Sequence, residues 1–287
     1  MNVITREWFD LDRGATFTLV PIGDVHLGTA ACDEVLLESV VKRIAQDDHC
    51  LWVGLGDYIE AIGLHDKRFN PEVLAPWACT ARALGTLATA ERDHILDILK
   101  PISRQCLGLI EGNHEEVYHR NYERNLYSEM VVAIRQWSGL AEDAKLGFGY
   151  SGWLDLDFHR AIVKSRSPNG SRIRISLHHG FVAGRLGGGK ALSMERWLWT
   201  HDADLTLMGH GHNTASYMAG VEFLDKCRNV TEHVRRGAYC GTFMRNTVDG
   251  ATTYAERRGY LPLPMGGCEI TLRPGATEQR DRVRITI

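Results

Sequence analysis

Three things are missing from this sequence: long apolar runs, an excess of either charge, and any paired spacing of its cysteines. No apolar run reaches the ~18 residues of a membrane span, so no membrane association is expected. The 33 Lys and Arg nearly balance 36 Asp and Glu, for a formal net charge of -3. A protein that coats nucleic acid is usually more basic overall, although a local basic groove stays open. The seven cysteines, at 32, 50, 79, 106, 227, 240 and 268, are odd in number and show no CxxC spacing. That excludes a disulfide scaffold and disfavours a structural thiolate zinc site. The reading is reduced thiols packed as small hydrophobes in a cytoplasmic protein. Internal repeats and low-complexity tracts are also missing. The first residues carry Arg6, Glu7, Asp10, Asp12 and Arg13, which is not the pattern of a signal peptide.

What is present is ordinary globular material: 287 residues, 44% hydrophobic and 24% charged. That is enough chain to bury a core without metal or disulfide staples. Apolar spacing predicts strands over 16–22, 51–55, 105–110, 150–158, 161–164, 172–178 and 204–208. Helical spacing runs over 34–45, 81–99, 123–137 and 191–200, with Asp33 as an N-cap and Pro101 as a stop. Ser167-Pro168-Asn169-Gly170 reads as a hairpin turn. The first half is βαβα and the second is β-rich. The expected fold class is α/β, two mixed sheets covered by helices on the outside. One domain, 1–287, is expected, with a β-rich part over 214–287.

Five short polar clusters each follow a predicted strand: Asp24/His26, Asp57, Asn113/His114, His178-His179, and His210/His212. Sites in α/β folds gather at the carboxyl ends of strands, where loops converge. Glycine adjoins every cluster, as Gly23, Gly56, Gly112, Gly180, Gly209 and Gly211, and permits sharp turns there. Asp and Asn at strand ends also cap helices, so one cluster alone would mean little. Imidazole and carboxylate donors without thiolate suit Mn²⁺, Fe or Zn²⁺ rather than Ca²⁺. The donors exceed what one ion needs. Two ions bridged by one carboxylate would use them all and would polarise a phosphoryl oxygen.

The ordered set closely resembles the calcineurin-like metallophosphoesterase family. Its motifs stand here as Asp24-Val25-His26, Gly56-Asp57, Gly112-Asn113-His114-Glu115, His178-His179-Gly180 and Gly209-His210-Gly211-His212. They lie within 22–213, two-thirds of the chain. The resemblance implies a four-layer α/β/β/α sandwich of two mixed sheets. It also implies that Asp24, His26 and His212 bind a first metal and that Asp57 bridges. Asn113, His210 and one of His178 and His179 would bind the second. A ligand His directly before Gly favours His179, and a pair whose first His binds favours His178. His114 would be the catalytic residue, near the substrate and free of metal. Glu115 reads as orienting a loop. The implied cofactors are two divalent ions, manganese first, then iron, zinc or nickel.

The Gly-rich run 184–189 lacks the spacing of a nucleotide P-loop. It reads either as a connector or as a loop at the mouth of the site, where Arg185 and Lys190 would meet substrate phosphate. Arg172 and Arg174 alternate with Ile173 and Ile175 and so share a strand face. Tyr254, Arg257, Arg258 and Tyr260 form another basic-aromatic group. The expected activity is hydrolysis of a nucleotide or nucleic-acid phosphodiester at a dinuclear metal site. Phosphomonoester hydrolysis is the alternative, followed by a non-catalytic scaffold. Gly56-Asp57-Tyr58-Ile59-Glu60 departs from the longer motif of phosphoprotein phosphatases, which counts against that branch. Oligomeric state is not legible.

Overall fold

Alternation at period two divides the buried strands between hydrophobic clusters. In β3 (Cys50–Gly54) every residue is buried. Successive side chains point to opposite faces, so Cys50 and Trp52 enter one cluster while Leu51 and Val53 enter another. β2 (Phe17–Ile22) repeats the division, with Val20 and Ile22 against Phe17 and Leu19. Strands buried on both faces favour parallel pairing. Accordingly β2, β3, β4 (Cys106–Ile110) and β5 (Gly147–Gly149) run parallel. β11 (Glu269–Leu272) and β12 (Val283–Thr286) extend this sheet antiparallel, in the order β12-β11-β2-β3-β4-β5.

This computed structural model describes residues 2–63, 66–80, 85–160, 170–181, 187–225 and 227–287. The second sheet holds β1 (Asn2–Leu11), β6 (Ser151–Arg160), β7 (Gly170–His178), β8 (Leu205–Met208), β9 (Thr214–Leu224) and β10 (Val230–Cys240). Its order is β1-β6-β7-β8-β10-β9, again mixed. Leu19 and Val53 from the first sheet meet Leu154 and Ile175 from the second in one shared core.

Helices cover the outer faces. α1 (Glu34–Ala45) starts where Asp33 accepts the Leu36 N–H at 3.0 Å. It buries Leu37, Val41 and Ile44, one helical stripe, against the first sheet. α2 (Leu87–Leu99) and α4 (Leu126–Ser138) pack beside it through Ile95, Met130 and Ile134. α3 (Asn113–Tyr122) follows β4 directly. α5 (Gly187–Thr200) covers the second sheet, with Met194 and Leu198 on Met208 and Tyr239. A short α6 (Tyr254–Arg258) completes the described helices. The α/β/β/α layering matches the expectation from the strand and helix rhythm. Among the described residues, no helix is long and apolar enough to cross a membrane.

The differences have local causes. β1 is not among the expected strands, because among its ten residues only Ile4 is fully buried. It is an edge strand, held by parallel pairing to β6. α3 is likewise absent from the expected helices, because NHEEVYHRNY has no apolar stripe and its one buried residue is Glu115. The expected strand 161–164, most of the 167–170 turn and 81–84 fall outside the described residues. Arg172 and Arg174 do share a face, but they pair there with Asp157 and Asp202.

Asp204, at the start of β8, ties the second sheet to the C-terminal part. Its carboxylate accepts the Arg174 N–H at 2.8 Å, His233 Nε2–H at 2.9 Å and Gln279 Nε2–H at 3.1 Å. Burial pushes its pKa up, but these donors more than offset that and hold it below 3.8. Its stabilisation is therefore complete above its unfolded value and is lost as pH falls through the lower folded value. Asp204→Ala should cost about 2–3 kcal/mol at neutral pH, because three donors lose their acceptor. In urea unfolding, that deficit should shrink on titration to acid. A deficit independent of pH would contradict the charge assignment.

Candidate metal centre

The five clusters do converge. β2, β3 and β4 deliver Asp24, His26, Asp57, Asn113 and His114 from one sheet. β7 and β8 deliver His179, His210 and His212 from the other. All lie past the carboxyl ends of their strands. Asp24, His26, Asp57, His210 and His212 have φ between 48° and 60°, five of the nine non-glycine residues with positive φ among those described. Such left-handed backbone is costly for residues with a Cβ and clusters at functional sites. Glycine makes room beside it. A Cβ on Gly112 would collide with the Asp57 backbone nitrogen and Oδ1.

The donor atoms form three interlocking groups: Asp24, His26 and His212; His26, Asp57 and His114; Asp57, His179 and His210. His26 Nε2 and His212 Nε2 are 3.2 Å apart, and Asp24 Oδ1 is 3.9 Å from His212 Nε2. On the other side, Asn113 Oδ1 lies 2.9 Å from His179 Nε2 and 2.7 Å from His210 Nδ1. Asp57 Oδ2 stands between the two sides, 3.7 Å from His26 Nε2 and 3.3 Å from His179 Nε2.

The far ring nitrogens are already committed. His26 Nδ1 faces Glu60 Oε2 at 3.0 Å, and His179 Nδ1 faces the Leu55 carbonyl at 2.7 Å. Proton donation to those acceptors leaves each Nε2 lone pair turned inward, the usual arrangement behind a metal-binding histidine. Asp24 Oδ2 is buried with no hydrogen-bond partner among the described residues. The donor set therefore fits divalent cations, with nitrogen and oxygen ligands only.

The electrostatics agree. Burial, helped by Asp57, pushes Asp24 up to about 7, against the pull of His179 and His26. Burial lowers His26, but Glu60, Asp57 and Asp24 more than offset this and raise it to about 9. Burial likewise lowers His179, and Asp57 above all brings it up to about 10. Burial and the nearby His26 hold His212 well below its ordinary value. Carboxylates this close need positive charge between them. Metal binding would supply it and release the protons.

No family model matches this chain, and no curated protein matches it. Similar solved structures do exist. One is a metallophosphoesterase from Sphaerobacter thermophilus, at 10% identity over 94% of this chain and 87% of that one, with a TM-score of 0.37. Another is Vps29 complexed with zinc from Entamoeba histolytica, at 10% identity over 94% and 97%, TM-score 0.39. A third is the nuclease MPE of Pseudomonas putida, at 15% identity over 93% and 87%, TM-score 0.30.

Two expected site residues stand elsewhere, and one is not described. His178 is one of the two alternatives for a ligand. Its ring turns away from the donor groups, to Trp197 at 4.7 Å and Phe181 at 5.6 Å. Adjacent strand residues face opposite sides, so His178 and His179 cannot both enter the cluster. Lys190, expected to meet substrate, is buried instead, and its Nζ donates to the Gly211 carbonyl, inside the Gly209-His210-Gly211-His212 turn. Its charge therefore braces that turn. Arg185 falls outside the described residues.

Two supporting residues emerge. Glu115 accepts from the backbone N–H groups of Asp57, Tyr58, Ile59 and Gly112, at 2.7–3.3 Å. That is the loop-orienting part expected of it. Glu60 enters the sequence reading only as a departure from a motif. Its carboxylate holds His26, while its backbone carbonyl accepts from His114 Nδ1. The signal was its spacing, three residues after Asp57, but nothing local revealed its partners. Glu60→Ala should weaken metal binding by about 10–100-fold, the usual cost of removing such a support. Glu60→Gln should recover part of this, in competition with a chromogenic chelator. Equal affinities across the three proteins would contradict the support.

Proposed function

We propose that this chain is a metal-dependent phosphoric ester hydrolase that prefers phosphodiesters, with nucleotides or nucleic acid as substrates. The observation that carries this reading is the position of Asp57 Oδ2 between two nitrogen-rich donor groups. Asp24, His26 and His212 would hold one divalent ion. Asn113, His179 and His210 would hold the second, with Asp57 shared. Manganese is the first choice, then iron, zinc or nickel. Bound there, the ions supply Lewis acidity toward a phosphoryl oxygen and make water acidic enough to attack at neutral pH.

The remaining chemistry belongs to the protein. His114 donates its backbone N–H to Asp57 Oδ1 at 2.9 Å, which fixes the start of α3 against the site. Its Nδ1–H is taken by the Glu60 carbonyl. That leaves Nε2 to hold or deliver a proton at the leaving oxygen. The His26 and His114 rings meet edge to face at 4.6 Å, so His114 is positioned beside the donors. A dianionic monoester gains most from an additional cation. Among the described residues, the expected cation Lys190 is engaged with the Gly211 carbonyl, and a monoanionic diester has less need of one. Five buried, unpaired cysteines suit a reducing cytoplasm.

The test is hydrolysis by chelator-stripped protein reloaded with Mn²⁺, with metal counted by elemental analysis. Two ions per chain and faster turnover of a chromogenic diester than of the matching monoester are expected. Monoester preference would move the assignment to a phosphatase. Full metal loading without turnover of either would point to a binding role.

A further inference from the structure

The peptide unit between Glu60 and Ala61 is held at both ends. Its carbonyl accepts from His114 Nδ1 at 2.5 Å, and its N–H donates to Glu91 Oε2 at 2.8 Å. The Glu60 N–H, in the preceding peptide unit, is fixed separately to the Leu27 carbonyl at 2.9 Å. Ala61 has φ of 49°. Such left-handed backbone is costly for a residue with a Cβ and persists only where the surroundings impose it.

Glu91 stands where a hydrophobic residue is expected. On α2 it shares the core-facing stripe with Leu87, Ala88 and Ile95, and it is fully buried. Burial pushes its pKa well above the ordinary carboxylate range, which favours the neutral acid. Gly28, at φ of 114°, makes room for it, because a Cβ there would collide with Glu91 Oε1. An apolar side chain would fill the stripe without the penalty of burying a polar group. What the carboxyl adds is an acceptor for the Ala61 N–H. Without it, that N–H would lack its partner and the peptide plane would be free to turn its carbonyl away from His114. Hydrogen bonds in series also polarise one another, so acceptance at the N–H strengthens the carbonyl as an acceptor for the ring.

We propose that Glu91 is a positioning residue for His114, holding the Glu60–Ala61 peptide plane so that the ring carries its proton on Nδ1 and keeps Nε2 free. The proposal rests on the hydrolase reading for what His114 does, but not for how its ring is held.

The experiment is long-range proton–nitrogen NMR of Zn²⁺-loaded protein carrying nitrogen-15 histidine, with the His114 signals identified by their absence from His114→Ala. Wild type and Glu91→Gln, whose amide oxygen still accepts, should show His114 protonated on Nδ1. Glu91→Met, similar in length and apolar, should shift His114 toward the Nε2–H form. Turnover of a thymidine dinucleotide by the Mn²⁺-loaded proteins should fall about 10–100-fold in Glu91→Met, the usual cost of removing an outer support, and Glu91→Gln should recover most of it. In the His114→Ala background, Glu91→Met should add nothing, because residues that act through one ring are not additive. A packing defect would lower both backgrounds alike and leave the ring as it was. His114 protonated on Nε2 in wild type, an unmoved ring in Glu91→Met, or an equal loss in both backgrounds would overturn the proposal. Thermal unfolding checks that Glu91→Met folds. Should it not, loss of the Nδ1–H form in Glu91→Gln would still overturn the acceptor role, and its retention would support it. No turnover by any of the proteins would remove the hydrolase reading and leave the NMR to decide the positioning.

Discussion

Asp57→Asn should lose metal and activity together. Among the described residues, Asp57 Oδ2 is the oxygen placed within 4 Å of imidazole nitrogens from both donor groups. An amide in its place keeps a carbonyl oxygen but no charge, and two divalent ions would then share too little negative charge. Removing a residue that only supports a ligand costs about 10–100-fold in affinity, so a shared ligand should cost more. The fold should survive. The amide oxygen of the variant can still accept the His114 N–H that Asp57 Oδ1 accepts now. The metal-free variant should melt lower than metal-free wild type, because burial of the Asp57 carboxyl is more than offset by His179, His114 and His26, which hold it well below its ordinary value, and the amide forfeits that attraction. Elemental analysis, activity and thermal unfolding on one preparation decide this. Two ions at full occupancy in the variant would sink the shared-ligand assignment.

His114→Ala should show the opposite pattern, with turnover lost and metal kept. Its Nδ1 faces the Glu60 carbonyl, so the ring is oriented by the protein backbone rather than by an ion. General acid–base groups contribute about 10²–10⁴-fold, and a loss of that size in kcat is expected. The loss should depend on the leaving group. A poor alkoxide needs its proton during bond breaking, whereas p-nitrophenolate departs without one. The defect should therefore be largest for alkyl diesters and smallest for chromogenic ones. An equal defect for both would mean that His114 steadies charge on phosphorus instead. A fall in bound metal would make it a ligand, which its proximity to His26 and Asp57 keeps as a real outcome.

Much of the site was legible because its signals are local. Each donor cluster follows a strand and adjoins a glycine, so residue type and order alone brought the set to notice. Strand β3 and helix α1 were equally legible, the first from a continuous apolar run and the second from Asp33 and a stripe of leucine, valine and isoleucine. The illegible elements lack such signals. β1 is an exposed edge that only β6 stabilises. α3 is polar on nearly every side and is held where Glu115 meets the backbone of Asp57, Tyr58 and Ile59.

By itself, the sequence determined the donor types, their order and the α/β rhythm, because these depend on composition and on spacing along the chain. Tertiary structure decided which atoms meet. Asn113 reaches His210 across 97 residues, and His26 reaches His212 across 186. It decided that His179 faces inward while His178 joins Trp197, through the pleat of β7 against its neighbours. It decided that Lys190 braces a turn and that Glu60 holds two histidines. The physical reason is direction. A side chain's partner depends on where another strand or helix lies in space, and no local spacing encodes that.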